Sequence, residues 1–215
     1  MLCIHCERFS DALLCPLCTQ ALEDQGYASL YATRCQTCGR PLLDRCYPCL
    51  FCQEGIEAYS PYTGIVSTLL RLYKAEGQRV LSKVLAPLYF PMLERVEKPL
   101  LIPVPASRRG IATRGFDQMQ IITGLLKKMT GYPSMRLFAQ KGGTQSKFLS
   151  RKERQARDSI TLLPRHGEVA QMRQMGYTFV LLDDICTSGA TLHSCASLLA
   201  ERYGIRALSL VVALA

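Results

Sequence analysis

No run of the roughly 18 apolar residues that a membrane span requires occurs in this sequence. The opening residues Met1, Leu2 and Cys3 lead into no basic stretch followed by an apolar segment, so no export signal is visible and a cytoplasmic protein is the expectation. The larger C-terminal part contains no internal repeat and no GxxxxGK[ST] phosphate loop, which sets aside solenoids and P-loop nucleotidases. Acids are scarce as well. The 215 residues carry 17 Asp+Glu against 26 Lys+Arg, a net charge of +9. The imbalance is local. Residues 1–54 hold four arginines and six acids (−2), leaving +11 on residues 55–215, so any attraction for polyanions belongs to the larger part. Apolar content of 48% is ample for a packed core.

What the chain has in excess is cysteine, and it is concentrated. Nine of the eleven lie in the first 52 residues, as Cys3 and Cys6, Cys15 and Cys18, Cys35 and Cys38, then Cys46, Cys49 and Cys52. Pairs two residues apart suit zinc knuckles, because a tight turn aims both thiolates at one tetrahedral ion. Two structural Zn2+ sites are expected. The simplest assignment gives Cys3, Cys6, Cys15 and Cys18 to one; the other takes Cys35, Cys38 and two of Cys46, Cys49 and Cys52. Interleaved pairing is the alternative. An odd cysteine number without an export signal argues against disulfides. His5 sits inside the first knuckle, where four thiolates already suffice. A head this small has too little apolar material to fold alone, so metal would supply much of its stability. The chain therefore divides into a zinc-ribbon domain, 1–54, and a larger domain, 55–215.

The stretch 178–191, TFVLLDDICTSGAT, is the most informative in the larger part. Phe179, Val180, Leu181 and Leu182 read as a strand buried on both faces, as in a parallel sheet. The run ends in Asp183 and Asp184. Thr187, Ser188, Gly189, Ala190 and Thr191 form a hydroxyl-rich turn, and helical periodicity follows. Acids accept hydrogen bonds from a ribose diol or help hold hydrated Mg2+. Backbone amides and hydroxyls at a helix start suit a phosphate. The stretch closely resembles the phosphoribosyl-pyrophosphate (PRPP) signature of type I phosphoribosyltransferases.

Upstream, helices are expected through Ile65–Tyr73 and Val80–Leu88, separated by a stop that carries Lys74. Residues 100–105 read as a strand running into a basic turn with Arg108, Arg109 and Arg114, followed by an amphipathic helix from Phe116 to Met129. Arginines at the carboxyl end of a strand are well placed for pyrophosphate or a nucleic-acid backbone. Residues 136–157 carry seven Lys+Arg and one acid. Lys147, Arg151, Lys152, Arg154 and Arg157 form a candidate groove for single-stranded nucleic acid or a hood over a polyphosphate. Phe148 is the only aromatic near its centre, which limits base stacking. Residues 160–163 and 205–213 read as strands, and 166–177 as a polar connection. Strand–helix alternation gives a parallel α/β sheet.

Taken in order, the cysteine head, Lys74, Pro103-Val104-Pro105, Arg109, Arg114-Gly115-Phe116, Gln118, Gln145, Leu149, Arg154 and the 183–191 signature resemble the ComF family (ComFC/GntX-like) of bacterial competence proteins. The family usually has Asn where this chain has Asp117. The resemblance implies an α/β fold, a type I phosphoribosyltransferase-like parallel sheet flanked by helices and preceded by a small four-cysteine zinc-ribbon domain. It also implies a role in natural transformation, handling imported single-stranded DNA, with PRPP or a related ribose phosphate as ligand, Mg2+ accompanying PRPP, and a competence helicase or DNA-processing protein as partner. Asp183 and Asp184 would then face the ribose and metal, residues 187–191 the 5-phosphate. Two other readings stand beside it: a working Mg-dependent phosphoribosyltransferase acting on a nucleobase or amine, for which no acceptor pocket or general base is identifiable, and a zinc-ribbon interaction protein with a relict pocket.

Overall fold

The structure, a computed structural model, describes residues 1–42, 49–140 and 160–215. Its centre is a four-stranded sheet of β1 (Ile56–Pro61), β2 (Pro99–Pro103), β5 (Thr178–Cys186) and β6 (Leu208–Leu214), in the order β1-β6-β5-β2. Every neighbouring pair is parallel. A separate antiparallel pair joins β3 (Phe138–Gln140) to β4 (Ile160–Leu162). The helices are α1 (Pro16–Asp24), α2 (Tyr27–Leu30), α3 (Leu50–Glu54), α4 (Gly64–Lys74), α5 (Ser82–Leu85), α6 (Phe90–Leu93), α7 (Arg108–Arg114), α8 (Gln118–Thr130), α9 (His166–Gln174) and α10 (Ala190–Tyr203).

The sheet is buried on both faces, which is why β5 reads as an unbroken apolar run. Residues 179–182 are all buried, and side-chain alternation divides them. Val180 and Leu182 enter a core with Leu69 and Leu70 of α4 and Met119, Ile122 and Leu126 of α8. Phe179 and Leu181 enter a second core with Leu192, Cys195 and Leu199 of α10, Phe138 and Ile160. The first cysteine knuckle is continuous with the α4 side: Cys3, Leu14, Cys15, Cys18 and Leu22 belong to that same cluster.

Several elements differ from the sequence expectation. The strand does not stop at the two aspartates. It continues to Cys186, because Asp183, Ile185 and Cys186 still have β6 partners in Val211, Ala213 and Leu214. The region of Val80–Leu88 is not one helix but a chain of short turns, with 3-10 turns at Arg79–Leu81 and Ala86–Tyr89 around α5; Pro87 and Pro91 each remove a backbone donor. The basic turn after Pro105 folds into α7, whose N-cap Ser107 accepts a hydrogen bond from Gly110 N at 3.1 Å. The polar connection 166–177 contains α9, and β1 was not foreseen.

The second cysteine hairpin is tied to β1 by buried charge. Glu57 accepts from both Arg40 and Arg95, and the Arg40 guanidinium lies 3.3 Å above the Phe51 ring centroid. The Glu57 and Arg40 side chains are only 6% and 10% exposed, whereas Arg95 is 40% exposed. Removing one partner of a buried pair strands the other. Arg40→Ala is therefore expected to cost about 3–5 kcal/mol in urea unfolding, and Arg95→Ala no more than about 1 kcal/mol. Equal costs would contradict this division of labour.

Candidate functional site

The carboxyl ends of β2 and β5 lie side by side, with Pro103 paired to Leu182 and Val104 N donating to Leu182 O at 2.9 Å. In open parallel sheets, ligands sit beyond this end of the strands. Here the two strand ends open into a cavity of about 340 Å³. Its walls include Pro105, Ala106 and Ser107 after β2, Asp183, Asp184, Thr187 and Thr191 at and after the end of β5, and Lys74, Arg114 and Gln118 from the helices on one side.

The alternation that splits the core also splits the two acids. Asp184 continues the Val180, Leu182 series and points among α4 and α8. It is 1% exposed. Its Oδ1 accepts from Lys74 Nζ at 2.8 Å and from Ile185 N at 2.8 Å, and its Oδ2 accepts from Gln118 Nε2 at 3.4 Å. Arg114 completes a ring around it, donating from Nη2 to Gln118 Oε1 at 2.5 Å and from Nη1 to Lys74 O at 3.4 Å. Lys74 stands in the last turn of α4, where a cation is favoured by the helix dipole. Gln118 opens α8, whose start is fixed by Asp117 accepting from Met119 N and Gln120 N.

Asp183 continues the other series, toward α10, and is half-buried. Its Oδ1 accepts from Asp184 N at 2.9 Å. Burial, and then the charge of Asp184, push its carboxyl up to about 8, against the opposing pull of Lys74. Burial and then the Asp183 charge raise the thiol of Cys195 on α10. The turn that follows has Gly189 at φ +68°, a left-handed conformation natural to glycine, as N-cap of the 14-residue α10. A Cβ there would sit 3.2 Å from His193 Nδ1. His193, which sequence reasoning did not single out, also has its Nδ1 3.2 Å from Gly189 O. Ser188 Oγ accepts from Ala190 N at 3.4 Å.

Arg114 is the arginine brought to the cavity. Its Nε is buried and has no partner among the described residues. Arg109 instead lies exposed on α7, away from the cavity wall. Thr187 and Thr191 reach the cavity; Ser188, Gly189 and Ala190 form the turn between them. Lys147, Arg151, Lys152, Arg154 and Arg157 lie outside the described residues. Lys74 and Gln118, which carry part of the resemblance but were given no role by it, also line the cavity. Each is separated from the acids by more than sixty positions, and only the fold joins them.

The cysteines form two groups of four, Cys3, Cys6, Cys15, Cys18 and Cys35, Cys38, Cys49, Cys52, with all Sγ atoms of a group within 4.8 Å of one another. Four sulfurs around Zn2+ at about 2.3 Å would lie roughly 3.8 Å apart. The contacts Cys6–Cys15 at 3.6 Å, Cys35–Cys52 at 3.8 Å and Cys38–Cys49 at 3.5 Å match that spacing. The donor sets thus fit zinc. Cys46 lies outside the described residues. Burial raises the Cys3 thiol, but hydrogen bonds from the Cys6, Cys15 and His5 amides outweigh it and bring it to about 6, favouring the thiolate. Amides of Cys38 and Thr37 do the same for Cys35. His5 Nδ1 lies 3.4 Å from Cys18 Sγ.

The raised Asp183 carboxyl has a consequence for stability. Between its unfolded value near 3.8 and about 8 the folded state holds the extra proton, so this group costs stability as pH rises through that window. Asp183→Asn removes the cost. Its melting temperature is expected to match wild type at pH below 3.8 and to exceed it by several degrees above pH 8. A constant difference across the range would contradict the burial of this acid.

No protein-family model matches the chain. Among the described residues, no helix is long and apolar enough to cross a membrane. The sequence is 26% identical over 200 residues to Competence protein ComFC of Streptococcus pneumoniae (strain ATCC BAA-255 / R6), covering 90% of this chain and 84% of that protein. It is 28% identical over 134 residues to Competence protein ComFC of Bacillus subtilis (strain 168), covering 62% of this chain but only 48% of that protein. With the paired cysteines and the motif order established, the chain is a homologue of proteins named competence protein ComFC.

Proposed function

We propose that this protein is competence-associated and binds a ribose 5-phosphate group, as PRPP or a related compound, in the cavity between β2 and β5, while its cationic segment engages single-stranded DNA. The observation that carries the reading is the convergence on one cavity of Asp183, Thr187, Thr191 and Arg114. The 187–191 turn would take the phosphate on its backbone N–H groups and hydroxyls, with the N-terminus of α10 adding favourable potential. Asp183 would meet the sugar hydroxyls. Arg114, already oriented by Gln118 and Lys74 O, would supply positive charge at the cavity wall. The names of the two relatives support the competence role. The +11 charge of residues 55–215 supports a polyanionic partner. The resemblance makes a competence helicase or DNA-processing protein the natural protein partner. A transfer reaction forms no part of the proposal.

Calorimetric titration with ribose 5-phosphate tests the cavity. Wild type should bind one equivalent, and Asp183→Ala should weaken binding by about tenfold or more with the circular dichroism spectrum retained. Unchanged affinity in the variant would remove the assignment. For DNA, oligonucleotide affinity should fall linearly on a log–log plot against salt. Replacing Arg151, Lys152 and Arg154 together by Ala should reduce that slope by about 2. An unaltered slope would place the DNA surface elsewhere.

A further inference from the structure

Two adjacent carboxylates at a buried strand end repel each other, and a retained proton or a cation close by relieves them. A divalent metal is one solution. This chain contains another. Lys74 Nζ lies 2.8 Å from Asp184 Oδ1, and the lysine side chain, 37% exposed, itself lines the cavity. Asp184 has most of its acceptor capacity engaged, Oδ1 also by Ile185 N and Oδ2 by Gln118 Nε2, and Asp183 Oδ1 takes Asp184 N. Mg2+ requires near-octahedral oxygen coordination at about 2.0–2.1 Å and gives up its water reluctantly. A second cation beside Asp184 would have to displace an ammonium group already in contact and break a ring of hydrogen bonds that runs through Gln118 to Arg114. The donor set around Asp184 does not fit a protein-held Mg2+.

We propose that Lys74 is the resident counter-ion of the acid pair, and that the cavity therefore receives a ribose 5-phosphate without a divalent cation held by the protein. The ligand half of this statement rests on the ribose-phosphate reading above; the counter-ion half does not. Lys74 is thus a positioning residue. It holds Asp184 inward and leaves Asp183 as the acid available to sugar hydroxyls. A magnesium ion arriving with a polyphosphate would be carried on that ligand's own oxygens.

The test uses the full chain with its zinc in place and has two arms. In the first, melting temperature is measured with and without millimolar MgCl2, with no sugar phosphate present. Wild type should not respond. Lys74→Met vacates the acid pair and should be stabilised by Mg2+ by several degrees, and a further Asp184→Asn change should erase that response. Stabilisation of wild type through Asp184, or an unresponsive Lys74→Met, overturns the counter-ion assignment. Lys74→Arg keeps the charge and should behave as wild type; a Mg2+ response in it overturns the assignment as well, and does so even if Lys74→Met fails to fold. In the second arm, ribose 5-phosphate affinity of wild type should agree within roughly twofold with and without Mg2+. Binding only with Mg2+ overturns the ligand half. Absence of binding in both conditions, with the first arm as expected, sinks the ribose-phosphate reading and leaves Lys74 as the counter-ion.

Discussion

The contact between Lys74 and Asp184 is the constraint around which the site is arranged. It spans 110 positions of sequence and joins the last turn of α4 to the carboxyl end of β5. An acid only 1% exposed is costly unless its charge is answered and its lone pairs are filled. Lys74 answers the charge. Gln118 and the Ile185 amide add two further donors, and Arg114 then holds Gln118. The buried hydrogen bond from Tyr73 to Gln118 O, 2.8 Å, ties the same two helices one residue away. Helices α4 and α8 are thereby fixed against the sheet at the mouth of the cavity rather than at its middle.

A simple geometric fact makes the two aspartates unequal. Side chains alternate along a strand, so neighbours in sequence face different layers of the protein. Asp184 belongs with Val180 and Leu182 and meets the cations of the α4 side. Asp183 belongs with Phe179 and Leu181 and faces α10, where no cation partners it among the described residues. One acid is consumed by structure and the other is left to the cavity. The same division places the 187–191 turn on the Asp183 side, since Gly189 caps α10 directly.

Much of this was legible in the sequence. The unbroken apolar run 179–182 announced a strand buried on both faces, and the cysteine pairs announced two four-sulfur clusters. Periodicity found α4 and α8 nearly to their ends. Other features were hidden for physical reasons. Helix α9 buries only Val169, so it shows almost no apolar stripe to read. Proline interrupts the turns between residues 79 and 93, where the apolar spacing alone suggested a continuous helix. Both aspartates line the cavity, but the pairing of Asp184 with Lys74 is not visible in local sequence, because only tertiary folding brings the lysine there. Arg109 and Arg114 looked equivalent; the capped turn of α7 sends the first to solvent and the second to Gln118.

The cysteine-rich head is joined to this site through the core rather than by a linker alone. Cys3, Cys15 and Cys18 share a cluster with Leu69 of α4, the helix that carries Lys74, and the second hairpin is held to β1 through Glu57. Metal binding in the head would thus stiffen the frame on which the cavity stands. The central claim, that a sugar phosphate settles between the ends of β2 and β5, is tested most directly by amide chemical-shift mapping during a titration with ribose 5-phosphate. The account predicts that the largest shifts fall on residues 183–191, with smaller ones at Lys74, Arg114 and Gln118. Shifts concentrated on the cysteine hairpins, or spread without focus over the basic surface, would contradict it.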